Sequence, residues 1–206
     1  MIGIIDYGVG NLFSLKSSLE AIGAEAFVSG DMQQLALADK LILPGVGAFP
    51  DAANKLRETG LDAFVRRQAE KGVPLLGICL GMQLLFERSF EYGVHDGLGL
   101  IPGEVIPMAE HLPEGLKIPH MGWNALHLTQ PNSLLFSNTK EGDYVYFVHS
   151  FFASGCGDAL AATAEYGIPI TAAVEKGNVF GCQFHPEKSG TVGLEILRAF
   201  CTMKVM

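Results

Sequence analysis

The residues with the clearest chemical potential are Gly77-Ile78-Cys79-Leu80-Gly81. They follow the apolar run Val73-Pro74-Leu75-Leu76 and precede a helix-like stretch, Met82-Gln83-Leu84-Leu85-Phe86-Glu87. A cysteine between two glycines, where a strand turns sharply into a helix, is the cysteine form of a nucleophile elbow. The glycines permit a tight turn that side chains would block. A thiol at a helix N-terminus meets free N–H groups and a dipole that favour the thiolate. About a hundred residues later comes Cys182-Gln183-Phe184-His185-Pro186-Glu187. In an extended segment His185 and Glu187 point to the same side, and Pro186 stiffens the pair. Glu187 then orients one ring nitrogen of His185 while the other takes the thiol proton and later returns it to a leaving amine. Together Cys79, His185 and Glu187 describe acyl transfer from an amide through a covalent thioester.

Such a reaction needs two donors aimed at the developing oxyanion. The N–H of Leu80, directly after the nucleophile, supplies one. Pro44-Gly45-Val46-Gly47, a loop after a short buried strand, supplies the other, and its glycines allow a peptide to flip. An isolated cysteine is more often a buried core residue, and Cys182, inside an apolar strand, keeps that reading. His149, which ends a strand and precedes Ser150-Phe151, reads by spacing alone as a satisfied core histidine. Gly8-Val9-Gly10 is too short for a dinucleotide fingerprint, and Gly45–Gly47 has no P-loop lysine.

These groups need a scaffold, and the first ninety residues supply alternating elements. Ile2–Tyr7 is a strand, Phe13 to Ile22 has helical apolar spacing, Leu41–Leu43 is a second buried strand, Leu56–Ala69 is a helix and Pro74–Ile78 is the strand that delivers Cys79. That alternation predicts a mostly parallel sheet flanked by helices. Strand-like pieces then follow one another: Glu104–Pro107, Trp123–Leu128, Tyr144–Val148, Leu160–Glu165, Thr171–Val174 and Val179–Phe184. They predict an antiparallel extension of the sheet and a small additional antiparallel sheet, closed by a helix over Gly190–Met203. The length of 206 residues suits one α/β domain spanning 1–206.

Composition narrows the partners. A net charge of −8 with no Lys/Arg cluster argues against nucleic acid. The mean hydropathy of +0.28 comes without an apolar run of membrane-spanning length, so a buried parallel sheet explains it and no membrane is expected. The N-terminus reads as a strand and not as a signal peptide. Cys79, Cys156, Cys182 and Cys201 fit neither a metal site nor a disulfide framework, so no metal or other cofactor is expected and a reducing cytoplasm is the expected setting.

The whole chain resembles the class I (triad) glutamine amidotransferases. The shared stretches are Pro44–Gly47, Gly77-Ile78-Cys79-Leu80-Gly81-Met82-Gln83 and His185-Pro186-Glu187. Within that family it is similar to the glutaminase subunits of imidazole glycerol phosphate synthases, from histidine biosynthesis. This narrower likeness rests on Ile5–Leu12, on Pro119-His120-Met121-Gly122-Trp123-Asn124, on Tyr146-Phe147-Val148-His149-Ser150, and on Lys188. The resemblance implies that Cys79 attacks the side-chain amide of L-glutamine and releases ammonia. It implies that Gln83, Glu91, His149, Ser150 and Phe151 surround the glutamine. It further implies a heterodimer with a separate (β/α)8-barrel cyclase, which receives the ammonia through a channel. Asn11, Met121, Trp123, Asn124, Tyr146 and Lys188 match positions at that interface. The rival readings are a glutaminase of another synthase of the same class, against which the Trp123 block argues, and a cysteine peptidase or γ-glutamyl hydrolase, for whose broad cleft the sequence shows no insertion.

Overall fold

A computed structural model describes residues 1–204; Val205 and Met206, the end of the expected 1–206 domain, lie outside the described residues. The strands are β1 (Ile2–Ile5), β2 (Ala26–Ser29), β3 (Lys40–Leu43), β4 (Leu75–Ile78), β5 (Arg88–Ser89), β6 (His95–Asp96) and β7 (Glu104–Pro107). They continue with β8 (His120–Ala125), β9 (His127–Leu128), β10 (Tyr144–His149), β11 (Phe151–Ser154), β12 (Leu160–Glu165), β13 (Pro169–Lys176) and β14 (Val179–Cys182). The helices are α1 (Leu12–Ala21), α2 (Met32–Leu35), α3 (Phe49–Glu58), α4 (Leu61–Glu70), α5 (Leu80–Leu84) and α6 (Gly190–Thr202).

An eight-stranded sheet of order β2-β1-β3-β4-β14-β13-β12-β9 runs through the molecule. From β2 to β14 neighbouring strands are parallel; beyond β14 they are antiparallel. The expected mostly parallel sheet with an antiparallel extension is therefore present. Its central strands β1, β3, β4 and β14 are buried along their whole length, as a sheet covered on both faces requires. One apolar cluster joins Leu15 and Leu19 of α1 and Ile196, Leu197 and Phe200 of α6 to one face. A second joins Phe49, Leu56, Phe64 and Val65 of α3 and α4 to the other. The order places Cys79, at the end of β4, beside the segment that leaves β14 toward His185.

The small antiparallel sheet is the β8–β10 ribbon. Next to it in sequence, β11, β7, β5 and β6 form a further four-stranded sheet, mixed because β5 and β7 are parallel. Several boundaries differ from the sequence reading. Leu56–Ala69 is two helices: Gly60, at φ 71, ends α3 and opens α4. The helix after Cys79 stops at Leu84, because the carbonyls of Leu84, Leu85 and Phe86 accept N–H groups of Leu98, Leu100 and Gly99. Trp123–Leu128 is split at buried Leu126, so β8 and β9 belong to different sheets. Val179–Phe184 ends at Cys182. Strand β2, at the sheet edge and only half-buried, has too weak a pattern to be read from sequence. The C-terminal helix is anchored by buried Lys40, whose Nζ donates to the carbonyls of Phe200, Cys201 and Met203 at 2.7, 2.9 and 2.6 Å.

Candidate active site

Cys79 has φ 54 and ψ −111, a conformation that L residues avoid and that costs about 1–3 kcal/mol. The strain sits on Cys79 itself. The flanking glycines serve another purpose than the turn freedom expected from sequence: neither has a positive φ, and both allow backbones to touch. A Cβ on Gly77 would lie 2.6 Å from the Gly81 carbonyl oxygen; one on Gly81 would lie 1.9 Å from that of Leu43. Helix α5 is thereby pressed onto the ends of β3 and β4. The strained turn is pinned by Cys79 N–H donating to the Cys182 carbonyl at 2.8 Å and by Gln83 N–H donating to the Cys79 carbonyl at 3.1 Å.

His185 Nδ1 and Glu187 Oε1 are 2.8 Å apart, with both side chains almost fully buried. Glu187 reaches the ring differently from the expected extended pair: Pro186–Lys188 is a turn of 3-10 helix, with Pro186 at its start. With Nδ1 committed to the carboxylate, Nε2 is the nitrogen left free on the side of the cavity that His185 shares with Cys79. Burial by itself lowers the His185 pKa. Its interactions with Cys79 and with the Glu187 carboxylate outweigh burial and raise the pKa from 6.5 to about 9. His185 is therefore an imidazolium at neutral pH, beside Cys79.

Above the sulfur lies a cavity of about 340 Å³. Its walls include Val46, Gly47, Leu80, Gln83, Glu91, His149, Ser150, Phe151 and Lys188 from the sequence reading, besides Cys79 and His185. Pro119, before β8, closes one side. As first residue of α5, Leu80 has no intrahelical acceptor for its N–H. Gly45 does not line this cavity. It packs underneath, where a Cβ would meet Gly81 N at 2.8 Å and Leu80 Cβ and Tyr7 Oη at 2.9 Å. Tyr7 donates to the Pro44 carbonyl at 2.7 Å and so holds the loop from below. Glu91 accepts the N–H of Phe49 at 2.8 Å, at the start of α3, and burial raises its pKa despite that bond.

His149 belongs to both readings offered for it. It faces the cavity, and it is fully satisfied. Its Nδ1 donates to the Phe151 carbonyl at 2.8 Å, which leaves Nε2 to accept from His120 Nδ1 at 3.0 Å. Burial pushes His149 down to about 3 and His120 down to about 4. Of His120, His149 and His185, His185 alone has a raised pKa and so is arranged to carry a proton.

The remaining positions lie around the ribbon and the cavity rim. Met121 and Trp123 on β8 are 61% and 54% exposed, and Trp123 meets Tyr146 of β10 edge-on at 6.1 Å. Asn124 is turned inward, donating to the Glu165 carbonyl at 2.7 Å and accepting from Ala125 N at 2.9 Å. Asn11 caps α1 through Ser14 N at 3.4 Å and borders a small cavity with Val46 and Glu187. The sequence reading gave no role to Tyr7, His120, Gln183 or Ser189. For Gln183 a signal existed: a polar residue directly after the apolar Val179–Cys182 run and two places before His185.

Comparison with known proteins agrees with this geometry. The family model "Glutamine amidotransferase class-I" matches residues 4–203. The "Imidazole glycerol phosphate synthase subunit HisH" of Bacillus licheniformis is 54% identical over 203 residues, covering 97% of this chain and 95% of that protein. The protein of the same name from Bacillus subtilis is 50% identical over 206 residues, covering 98% and 96%. Among solved structures, "Structure of PurLQS from Thermotoga maritima" superimposes with a TM-score of 0.75 at 22% identity, covering 97% of this chain and 96% of that one, which shows the shared fold. With its elbow cysteine and the His185–Glu187 pair beside it, the chain belongs to the class-I glutamine amidotransferases.

Proposed function

We propose that this chain is the glutaminase subunit of an imidazole glycerol phosphate synthase of histidine biosynthesis. The observation that carries the reading is His185, hydrogen-bonded to Glu187 and sharing with Cys79 a cavity large enough for an amino acid, in a chain about half identical to HisH subunits. In the first step the Cys79 thiolate attacks the side-chain carbonyl carbon of L-glutamine. The oxyanion is held by the Leu80 N–H and by an N–H of the Val46–Gly47 segment, with Gly45 as the spacer beneath. The His185 imidazolium gives its proton to the departing nitrogen, which leaves as ammonia, and a glutamyl thioester remains. The now neutral imidazole takes a proton from water; the hydroxide attacks the thioester, and glutamate and the thiolate return. Glu187 keeps the ring in one tautomer throughout.

The head of the glutamine is held by Gln83, Glu91 and the Ser150–Phe151 backbone. A carboxylate such as Glu91, with one oxygen on Phe49 N–H, has the other for an ammonium group. Ammonia then passes to a partner cyclase, proposed to be a (β/α)8 barrel in a heterodimer, in the cytoplasm. Among the described residues no helix is long and apolar enough to cross a membrane. The exposed rings of Phe13, Trp123 and Tyr144 and the Met121 side chain offer an apolar docking surface, with Asn11, Tyr146 and Lys188 near the exit. A dry passage suits ammonia, which is a nucleophile only while unprotonated. Labelling with a glutamine-mimicking electrophile tests the reading. Modification of Cys79 alone, accelerated by the cyclase and blocked by glutamine, is expected; labelling elsewhere, or indifference to glutamine, contradicts it.

A further inference from the structure

Gln183 is completely buried between β14 and the triad histidine, and the mechanism above leaves its side chain without a task. Its amide nitrogen lies 3.7 Å from Cys79 Sγ. Its amide oxygen lies 2.9 Å from Nε2 of Gln83. Nε2 of Gln83 also lies 3.1 Å from the carbonyl oxygen of Phe151. That carbonyl can only accept, so the atom of Gln83 facing it is the NH₂ group. The Gln183 atom beside the same NH₂ must then be the oxygen. Reversing the Gln183 amide would set two NH₂ groups against each other and turn a carbonyl toward the sulfur. The two amides are thus locked in one sense, from the Phe151 carbonyl through Gln83 and Gln183 to Cys79.

We propose that Gln183 is a second hydrogen-bond donor to the Cys79 thiolate, aimed by Gln83, and that it works opposite His185 to hold the sulfur as an anion before attack. This rests on the reading of Cys79 as the nucleophile. A buried NH₂ group without an acceptor is costly, and here one of its two hydrogens has the sulfur as acceptor. A neutral thiol accepts weakly; a thiolate accepts strongly, because the bond is charge-assisted. The contact therefore favours the ionised nucleophile. It also ties the nucleophile to Gln83, a residue proposed to hold the substrate's head, so that glutamine binding tightens the amide aimed at the sulfur.

The test is the pH dependence of Cys79 alkylation by iodoacetamide in the full chain, with Cys79→Ser as the blank for other cysteines. Replacing Gln183 with Met keeps volume and removes the donor. The midpoint of alkylation should move up by about one pH unit, the size of one hydrogen bond to a charged group. In the complex with the cyclase, kcat for glutamine should fall about 10-fold with KM changed less than about 3-fold, since the contact concerns the sulfur more than the substrate. Gln183→Glu keeps the shape and the bond from Gln83 but faces the sulfur with a carboxylate oxygen; it should raise the midpoint further. Should the Met variant fail to fold, the Glu variant decides. A midpoint unchanged from wild type in a folded variant overturns the proposal and assigns Gln183 to packing. If the wild-type complex fails to hydrolyse glutamine, the proposed function fails, while the alkylation midpoint still judges the Gln183 contact.

Discussion

The carbonyl oxygen of Tyr146 accepts the backbone N–H of His185 at 2.9 Å. The link is closed on its other side by Ser189, whose hydroxyl donates to the His185 carbonyl at 2.6 Å and accepts from Tyr146 N at 3.0 Å. Strand β10, one half of the ribbon that carries the exposed Met121 and Trp123 on its other half, is therefore bonded directly to the backbone of His185, the proposed catalytic base. A partner that presses on the ribbon acts one hydrogen bond away from His185.

Ser189→Ala removes that brace: the His185 carbonyl keeps the Lys188 N–H as donor at 3.0 Å, but the Tyr146 N–H loses its acceptor, a loss of about 1–3 kcal/mol. Steady-state glutaminase kinetics of the complex should show kcat reduced about 10-fold with little change in KM, because the ring loses alignment while the glutamine pocket stays intact. An unchanged kcat would mean that His185 is held by its side chain alone.

Stability should pass through a maximum near pH 6.5 to 7. His120 and His149 titrate in the fold at about 4 and about 3, so between there and 6.5 the unfolded chain binds protons that the native state refuses. Stability contributed by these two is present above pH 6.5 and is lost on acidification. His185 has the opposite sign. With a folded pKa of about 9, its contribution is complete below 6.5 and is lost as pH rises through 9. Thermal melts from pH 4 to 10 should fall on both sides. Glu187→Gln should flatten the alkaline side, and a wild-type curve without an alkaline decline would contradict the ion pair.

Gly45 is tightly packed beneath the proposed oxyanion segment. In Gly45→Ala the added methyl would overlap Gly81 N, Leu80 Cβ and Tyr7 Oη, so the loop must move away from Cys79. Loss of one oxyanion donor typically lowers kcat about 100-fold or more, and a fall of that order with a lower melting temperature is expected. Gly47→Ala meets nothing within 4 Å; its φ of +93 makes it a backbone effect alone. Equal and small kcat losses in both variants would remove Gly45 from this role.

Much of this site was legible in the sequence because its chemistry is local. Cys79 sits between glycines at a strand end, and Glu187 is two residues from His185, so spacing alone pairs them. The sheet order that joins β4 to β14 then brings the two halves together. What escaped was long-range or fine in geometry. Tyr7 meets Pro44, Gln183 meets Gln83, and His120 meets His149 across 37, 100 and 29 residues, where no periodicity points to a partner. The glycines around Cys79 look like turn residues, yet their value is the approach of two backbones, which only packing reveals. The break at Gly60 was hidden by apolar spacing that runs through both helices, and the early end of α5 depends on a segment, residues 98–101, that takes its carbonyls.

The central claim is that nitrogen leaves glutamine at Cys79 and is used elsewhere. The most direct measurement is cyclase product formation by the complex carrying Cys79→Ala, with glutamine and, separately, with ammonium salt at alkaline pH. The account predicts no product from glutamine and undiminished product from ammonia. Product from glutamine in that variant, or failure of ammonia to support it, would contradict the account.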